Sequence, residues 1–163
     1  MNTHSTTVAR KGSQVLTDRL AEAHVSYELI PHARTDTARA EALALGVAPW
    51  QVAKTVILKS DEGFVRAVVP ASKHVDLRKV RRVLGTDVEL ADEVELAGAY
   101  PEFELGAVPP FGDGHGDRVL IDIELCGLDS VLLEAGTHDR SVRIDTGDLI
   151  EASDAALADV CAG

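Results

Sequence analysis

Gln51-Val52-Ala53-Lys54-Thr55-Val56-Ile57-Leu58-Lys59, the turn Ser60-Asp61-Glu62-Gly63 and then Phe64-Val65-Arg66-Ala67-Val68-Val69 form two apolar runs joined by a short acidic, glycine-containing link. That pattern predicts a β-hairpin, with Pro70 ending its second strand. Side chains alternate along a strand, so Val52, Lys54, Val56 and Leu58 share one face and Ala53, Thr55, Ile57 and Lys59 the other. Lys54 therefore falls among apolar neighbours. A buried ammonium is costly unless it meets an anion or acceptors, which makes Lys54 a candidate for work on a ligand. The competing reading is a stem that packs while its head snorkels to water. Lys59, beside the turn, reads as solvated.

Working outward toward the N-terminus, residues 1–12 are polar and predict a disordered tail, which leaves residues 13–163 as one domain. Val15, Leu16, Leu20 and Ala23 recur at helical spacing from Ser13, a candidate cap, to His24. Tyr27 to Ile30 predicts a short strand. Thr35-Asp36-Thr37 can cap an alanine-rich helix that runs to Leu45 and is stopped by Gly46 and Pro49.

Toward the C-terminus, Leu77, Val80, Val83 and Leu84 form one stripe of a helix beginning near Asp76 and closed by Gly85. A brief strand and a short helix are predicted over Glu89 to Ala99. The stretch Tyr100 to Gly116 holds four glycines and three prolines, so it predicts a long, stiffened loop, ordered through Leu105, Val108 and Phe111. Strands are predicted at Arg118 to Leu125, Val131 to Glu134 and Ser141 to Ile144, and a closing helix at Asp148 to Val160. This mixture predicts an α/β (α+β) single domain with a mixed, mostly antiparallel sheet of about five to seven strands surrounded by helices.

At 163 residues, 45% of them hydrophobic and 4% aromatic, the chain can bury roughly 68–70% of its unfolded surface around an aliphatic core. The formal charge of −11 argues against broad binding to polyanions such as DNA. One stretch departs from this balance. Lys73, Arg78, Lys79, Arg81 and Arg82 face a single acid, giving +4 locally and −15 over the remainder. A solvated helix face and a phosphate-contacting face explain it equally well. Cys126 and Cys161 form no metal spacing and read as thiols of a reducing compartment. The six histidines fall in no metal-binding arrangement. No apolar run is long enough to span a membrane, so the expected location is the cytoplasm, with no membrane partner, no metal and no cofactor.

No P-loop, dinucleotide fingerprint or nucleophile elbow is present. What remains is Lys54, the Gly106 to Pro110 loop and the glycine turn at Gly136. His32 and His138 read first as turn histidines and second as site residues. Asp122 could orient a water or make a structural hydrogen bond. Thr37 caps a helix first and is a pocket candidate second. Cys126 has no activating neighbour.

Tyr27-Glu28-Leu29-Ile30-Pro31-His32, Val52-Ala53-Lys54-Thr55-Val56, Ala67-Val68-Val69-Pro70-Ala71, Val75-Asp76-Leu77-Arg78-Lys79, Gly106-Ala107-Val108-Pro109-Pro110-Phe111-Gly112 and Glu134-Ala135-Gly136-Thr137-His138 occur in this order. The set resembles the YbaK/ProX-type aminoacyl-tRNA deacylases, which also occur as the editing insertion of bacterial prolyl-tRNA synthetases. The resemblance spans residues 15–160. It implies a YbaK-like fold and metal-independent hydrolysis of the ester joining a wrongly attached amino acid to the terminal adenosine of a tRNA. Lys54 matches the family's lysine, and Gly106, Ala107 and Pro110 fall in its GxxxP loop. His32, Thr37, Asp122, Gly136, Thr137 and His138 become substrate-side candidates. Lys73, Arg78, Lys79, Arg81 and Arg82 become contacts to the tRNA acceptor end, with a synthetase or elongation factor supplying most affinity. Glu134 and Ala135 stand near the serine that cysteine-specific members carry before the glycine turn, so the expected substrate is a small amino acid not restricted to cysteine. The alternative is a noncatalytic module that binds a tRNA end or a synthetase.

Overall fold

The structure, a computed structural model, describes residues 12–111 and 115–162. The tail expected at 1–12 thus lies outside the described residues except for Gly12, as does the 112–114 segment of the long loop. In chain order the elements are α1 (Ser13–Glu22), β1 (Tyr27–Pro31), α2 (Ala38–Leu45), β2 (Ala53–Ser60), β3 (Gly63–Pro70), β4 (His74–Val75), α3 (Leu77–Leu84), β5 (Val88–Leu90) and α4 (Glu93–Ala99). There follow β6 (Arg118–Asp122), β7 (Ser130–Glu134), β8 (Arg140–Asp145), α5 (Thr146–Ser153), β9 (Ala156–Ala158) and β10 (Cys161–Ala162).

The hairpin forms as its sequence dictates. β2 and β3 pair antiparallel, Lys54 opposite Val69 and Ser60 opposite Gly63, with Gly63 at φ 118° in the turn. β3 pairs in parallel with β6, and β6 with β9, giving a mixed five-stranded sheet in the order β5-β2-β3-β6-β9. A second, antiparallel sheet runs β1-β8-β7, and β10 pairs with β4. The expected mixed sheet is the five-stranded one, and the second sheet touches it beside the start of β2 through one isolated bridge, Val52 to Leu132 of β7. β5 covers only Leu58 to Ser60 of β2. The first half of β2 therefore faces the neighbouring sheet across a gap.

The hydrophobic faces account for the layering. Leu58, Val65, Ala67 and Val69 pack with Val80 of α3 and Val160 on one side of the five-stranded sheet. Val68 and Ile121 pack with Leu16, Leu20, Val131, Ile144 and Leu149 on the other, between the two sheets.

Local signals set most ends. Thr37 accepts from Ala40 N–H at 3.0 Å, Asp76 accepts from Arg78 N–H at 3.0 Å, and Gly46 and Gly85 close their helices in the left-handed region. Three expectations are corrected. Gly12, not Ser13, occupies the cap of α1, without a side-chain bond. The strand from Arg118 stops at Asp122, whose carboxylate accepts from Glu124 N–H at 3.0 Å and turns Ile123–Gly127 into a 3-10 helix. The closing helix ends at Ser153, where Asp154 adopts φ 50°, so Leu157 joins β9 beside Ile121 instead. Sheet pairing there overrides helical periodicity.

Candidate functional site

The gap between the sheets opens into a cavity of about 370 Å³. Ala53, Lys54 and Thr55 of β2 form one wall and Leu133 and Glu134 of β7 another. The first turns of α2, from Thr37 to Glu41, and the segment Gly106 to Val108 complete it. The fold thus brings together Lys54, Thr37, Gly106 and Ala107, which lie far apart in the sequence.

Lys54 is half-buried, and its ammonium forms no hydrogen bond or ion pair among the described residues. Desolvation lowers its pKa, and the nearby charge of Arg39 lowers it further. A desolvated ammonium beside a second cation is a receptor for an anion or a developing oxyanion.

The Gly106 loop is held from two sides. Gly106 sits at φ 83°, and a Cβ placed there would lie 3.6 Å from the His138 ring. Glu104 N–H donates to Gly136 O at 3.0 Å, and His138 N–H donates to Glu104 Oε1 at 2.8 Å. His138 Nε2–H donates to Leu105 O at 2.6 Å, while Nδ1 faces Glu134 Oε2 at 2.8 Å. Burial would lower the His138 pKa, but the Leu105 carbonyl and the Glu134 carboxylate outweigh it and raise it. Burial pushes Glu134 up to about 7, and the pull of His138 opposes that rise.

On the other side, Arg66 Nη1 donates to Pro109 O at 2.6 Å. The guanidinium is 2% exposed at its side chain, pairs with Asp117 at 2.9 Å, and stacks over the Tyr100 ring 5.0 Å from its centroid. Tyr100 donates to the same carboxylate.

The remaining candidates sit elsewhere. Pro110 is buried behind the loop and does not line the cavity. Gly136, at φ 91°, is a packing glycine, since an added Cβ would come within 2.7 Å of Gly12 backbone. Thr137 donates to Asp139 at 2.9 Å, and His138 acts on the loop and on Glu134. Asp122 is buried away from the cavity, its oxygens taken by the N–H groups of Glu124 and Val160 at 3.0 and 2.9 Å, so a water-orienting role gives way to a structural one. His32 Nδ1–H donates to Ala33 O at 2.7 Å, and Nε2 lies 2.9 Å from Ser141 Oγ, behind the cavity wall.

Of the basic stretch, Lys73 pairs with Glu124 at 2.8 Å, Lys79 with Asp159 at 2.9 Å and Arg81 with Asp87 at 3.1 Å. Arg78 and Arg82 are exposed, and their guanidinium groups form no hydrogen bond or ion pair among the described residues. One potential ligand group gathers among the described residues, Asp122, Asp159 and Cys161. It lies outside the cavity, and Asp122 and Asp159 are engaged by backbone N–H groups and Lys79. No described helix is long and apolar enough to cross a membrane.

Sequence reasoning passed over Glu41, Arg66 and the Glu134 to His138 pair. Arg66 carried the same signal as Lys54, a charge inside an apolar strand. Glu41 is fully buried, and its pKa is raised to about 8 by burial, against a hydrogen bond from Ser141 and with the Glu134 charge adding to the rise. The folded pKa exceeds the ordinary 4.5, so the folded state keeps a proton that the unfolded chain releases between these values. Stability should fall by a few kcal/mol as pH rises from about 4.5 to about 8. Denaturant midpoints across that range should show the decline for wild type and a flatter profile for Glu41→Gln; parallel profiles would contradict this.

Residues 32–152 match the family model for the aminoacyl-tRNA editing domain. The chain is 35% identical over 106 residues to a proline–tRNA ligase of Desulforamulus reducens, a match covering 63% of this chain and 18% of that enzyme. Among solved structures, one described as a candidate trans-editing enzyme for prolyl tRNA synthetase superposes with a TM-score of 0.83 at 24% identity, covering 93% of this chain and 97% of that one. A scaffold protein used for epitope backbone grafting superposes with a TM-score of 0.81 at 25% identity over 93% and 97% of the two chains. With the family model covering most of the chain and the fold shared along nearly all of it, this protein belongs to the aminoacyl-tRNA editing domain family.

Proposed function

We propose that the chain is a trans-editing hydrolase that removes a small, wrongly attached amino acid from the terminal adenosine of a tRNA in the cytoplasm. The observation that carries this reading is the meeting, in one cavity, of the unpartnered Lys54 ammonium and the braced Gly106 loop. Water attacks the ester carbonyl, its oxygen takes up negative charge, and collapse of the tetrahedral intermediate expels the ribose oxygen. Lys54 holds that developing charge or the adjacent phosphate. Gly106 lets loop backbone approach the reacting group closely. Bonds from His138 and Arg66 fix the loop before substrate arrives, which reduces the ordering cost on binding. Neighbouring aliphatic walls, Ala53, Ala107, Val108 and Leu133, suit a small side chain. Pocket walls exclude large groups sterically, whereas one methylene is worth only about 1–3 kcal/mol.

The protein should release amino acid from at least one tRNA mischarged with Ala, Ser or Cys, and EDTA should leave the rate unchanged. Release from none of them would favour a module that binds the tRNA end or a synthetase without turnover. Inhibition by EDTA that added zinc reverses would contradict metal independence.

Binding of the acceptor end falls to Arg78 and Arg82, because intramolecular carboxylates already hold Lys73, Lys79 and Arg81. Arg78→Ala and Arg82→Ala should each raise KM several-fold at low salt, with kcat little changed and the difference shrinking as salt rises. Steady-state kinetics at two ionic strengths checks this; equal effects at both would remove the phosphate role. The overall charge of −11 leaves room for a synthetase or elongation factor to supply the rest of the affinity.

A further inference from the structure

With 27 acidic residues against 16 basic ones, carboxylates hold much of the positive charge of this chain. Arg34, Lys59, Arg66, Lys73, Lys79 and Arg81 each lie against one. Two cations that do not share the cavity wall, Arg39 of α2 and Lys54 of β2, and neither forms an ion pair among the described residues. Arg39 is tied at one corner, where Nη2 donates to Ser72 O at 3.2 Å. Ser72 follows the cavity-lining Ala71 in the link from β3 to β4, so the bond draws the guanidinium from α2 toward the opposite wall. Its remaining N–H groups have no partner among the described residues.

The two cations differ in depth. Lys54 is half-buried, whereas Arg39 is exposed at the cavity rim. They are close enough for the Arg39 charge to act on Lys54. Like charges held together with no anion between them are unfavourable, and the cost is relieved when negative charge arrives. The acids that line the same cavity do not supply it. Asp36 forms no ion pair among the described residues, and burial favours the neutral forms of Glu41 and Glu134.

In an aminoacyl ester the amino acid's carboxyl is the ester itself, so that part of the substrate carries no fixed negative charge. Two negative charges remain at this end of a charged tRNA. One is the phosphate on the 5′ side of the terminal adenosine, permanent and hydrated. The other is the oxyanion, which exists only while the ester carbon is tetrahedral. A phosphate suits an exposed planar fork that can offer two parallel N–H groups, and a developing oxyanion suits a desolvated ammonium. We propose that Arg39 seats the phosphate 5′ to the terminal adenosine at the cavity rim and so leaves Lys54 to the oxyanion within. This rests on the hydrolase reading above. Arg39 is then a positioning residue: holding the phosphate sets how far the ribose enters, and with it whether the ester reaches Lys54 and the Gly106 loop. The contact carries no sequence information, so it serves any tRNA.

The test compares the 2′(3′)-alanyl and seryl esters of adenosine with those of adenosine 5′-monophosphate, using wild type, Arg39→Ala, Arg39→Lys and Lys54→Ala. Wild type should favour the phosphorylated ester in kcat/KM by about tenfold at low salt, and less as salt rises. Arg39→Ala should bring that ratio close to one by raising KM for the phosphorylated ester, and Arg39→Lys should restore part of it. Lys54→Ala should lower kcat on both esters and leave the ratio standing. Thermal unfolding confirms that each variant is folded. Where the short esters turn over too slowly to compare, inhibition of deacylation of a mischarged tRNA replaces the ratio: adenosine 5′-monophosphate should inhibit wild type about tenfold more strongly than adenosine does, and Arg39→Ala about equally. Equal wild-type preference for the two esters or inhibitors, or a preference that survives in Arg39→Ala, would overturn the proposal. A preference lost in Lys54→Ala but kept in Arg39→Ala would assign the phosphate to Lys54 and overturn it too. No turnover of any ester or tRNA would instead overturn the hydrolase reading itself.

Discussion

Lys54→Ala is expected to cut deacylation by 100-fold or more while the protein still unfolds in one cooperative transition. Removing one preorganised donor to a developing oxyanion typically costs about 3 kcal/mol of transition-state stabilisation, which corresponds to that factor. The fold should tolerate the change because Lys54 has no intramolecular partner among the described residues and its charged form is disfavoured by burial and by Arg39. Truncation therefore leaves no buried partner charge behind. The denaturation midpoint should stay level or rise slightly. Lys54→Arg should not restore the rate fully, since a planar fork cannot occupy the position of a compact ammonium. Single-turnover kinetics together with urea denaturation separates loss of chemistry from loss of fold. A rate within a few-fold of wild type would remove Lys54 from the mechanism.

Arg66→Met should have the largest effect on stability. The guanidinium joins Asp117, the Tyr100 ring and the Pro109 carbonyl, and its side chain is 2% exposed against 11% for Asp117. Taking it away strands a largely buried carboxylate and leaves the Pro109 carbonyl without its donor. Breaking such a pair from one side costs about 3–5 kcal/mol. The double variant Arg66→Met with Asp117→Asn should recover a good part of that loss, because no unpaired charge remains. Activity should stay low in both, since the brace on the Gly106 loop is missing from each. Urea midpoints for the two variants check the stability part; a double variant as unstable as the single one would contradict the stranded-charge explanation.

These effects show how unevenly the molecule could be read from its residues. The β2–β3 hairpin and the caps at Thr37, Asp76, Gly46 and Gly85 depend on a few adjacent residues, so local rules sufficed. The closing helix failed for the opposite reason, because residues 156–158 are claimed by a strand edge more than thirty positions away in the sequence. Lys54 stood out as a charge in an apolar strand, and Arg66 and Glu41 carried the same kind of signal. In α2 the buried stripe runs through Ala38, Ala42 and Leu45, and position 41 lies on it, so a glutamate there was a readable anomaly. What no local pattern contained was the meeting of these residues, since only the seam between the sheets brings Lys54, Glu41, Glu134 and Gly106 to one cavity.

The central claim is that this cavity is where the ester is cleaved. Its most direct test is release of free amino acid from tRNAs mischarged with Ala, Ser or Cys, measured side by side for wild type and Lys54→Ala at equal enzyme concentration. The account predicts release from at least one of these tRNAs by wild type and none above the spontaneous rate by the variant. Undiminished release by Lys54→Ala, or no release by either protein, would contradict it.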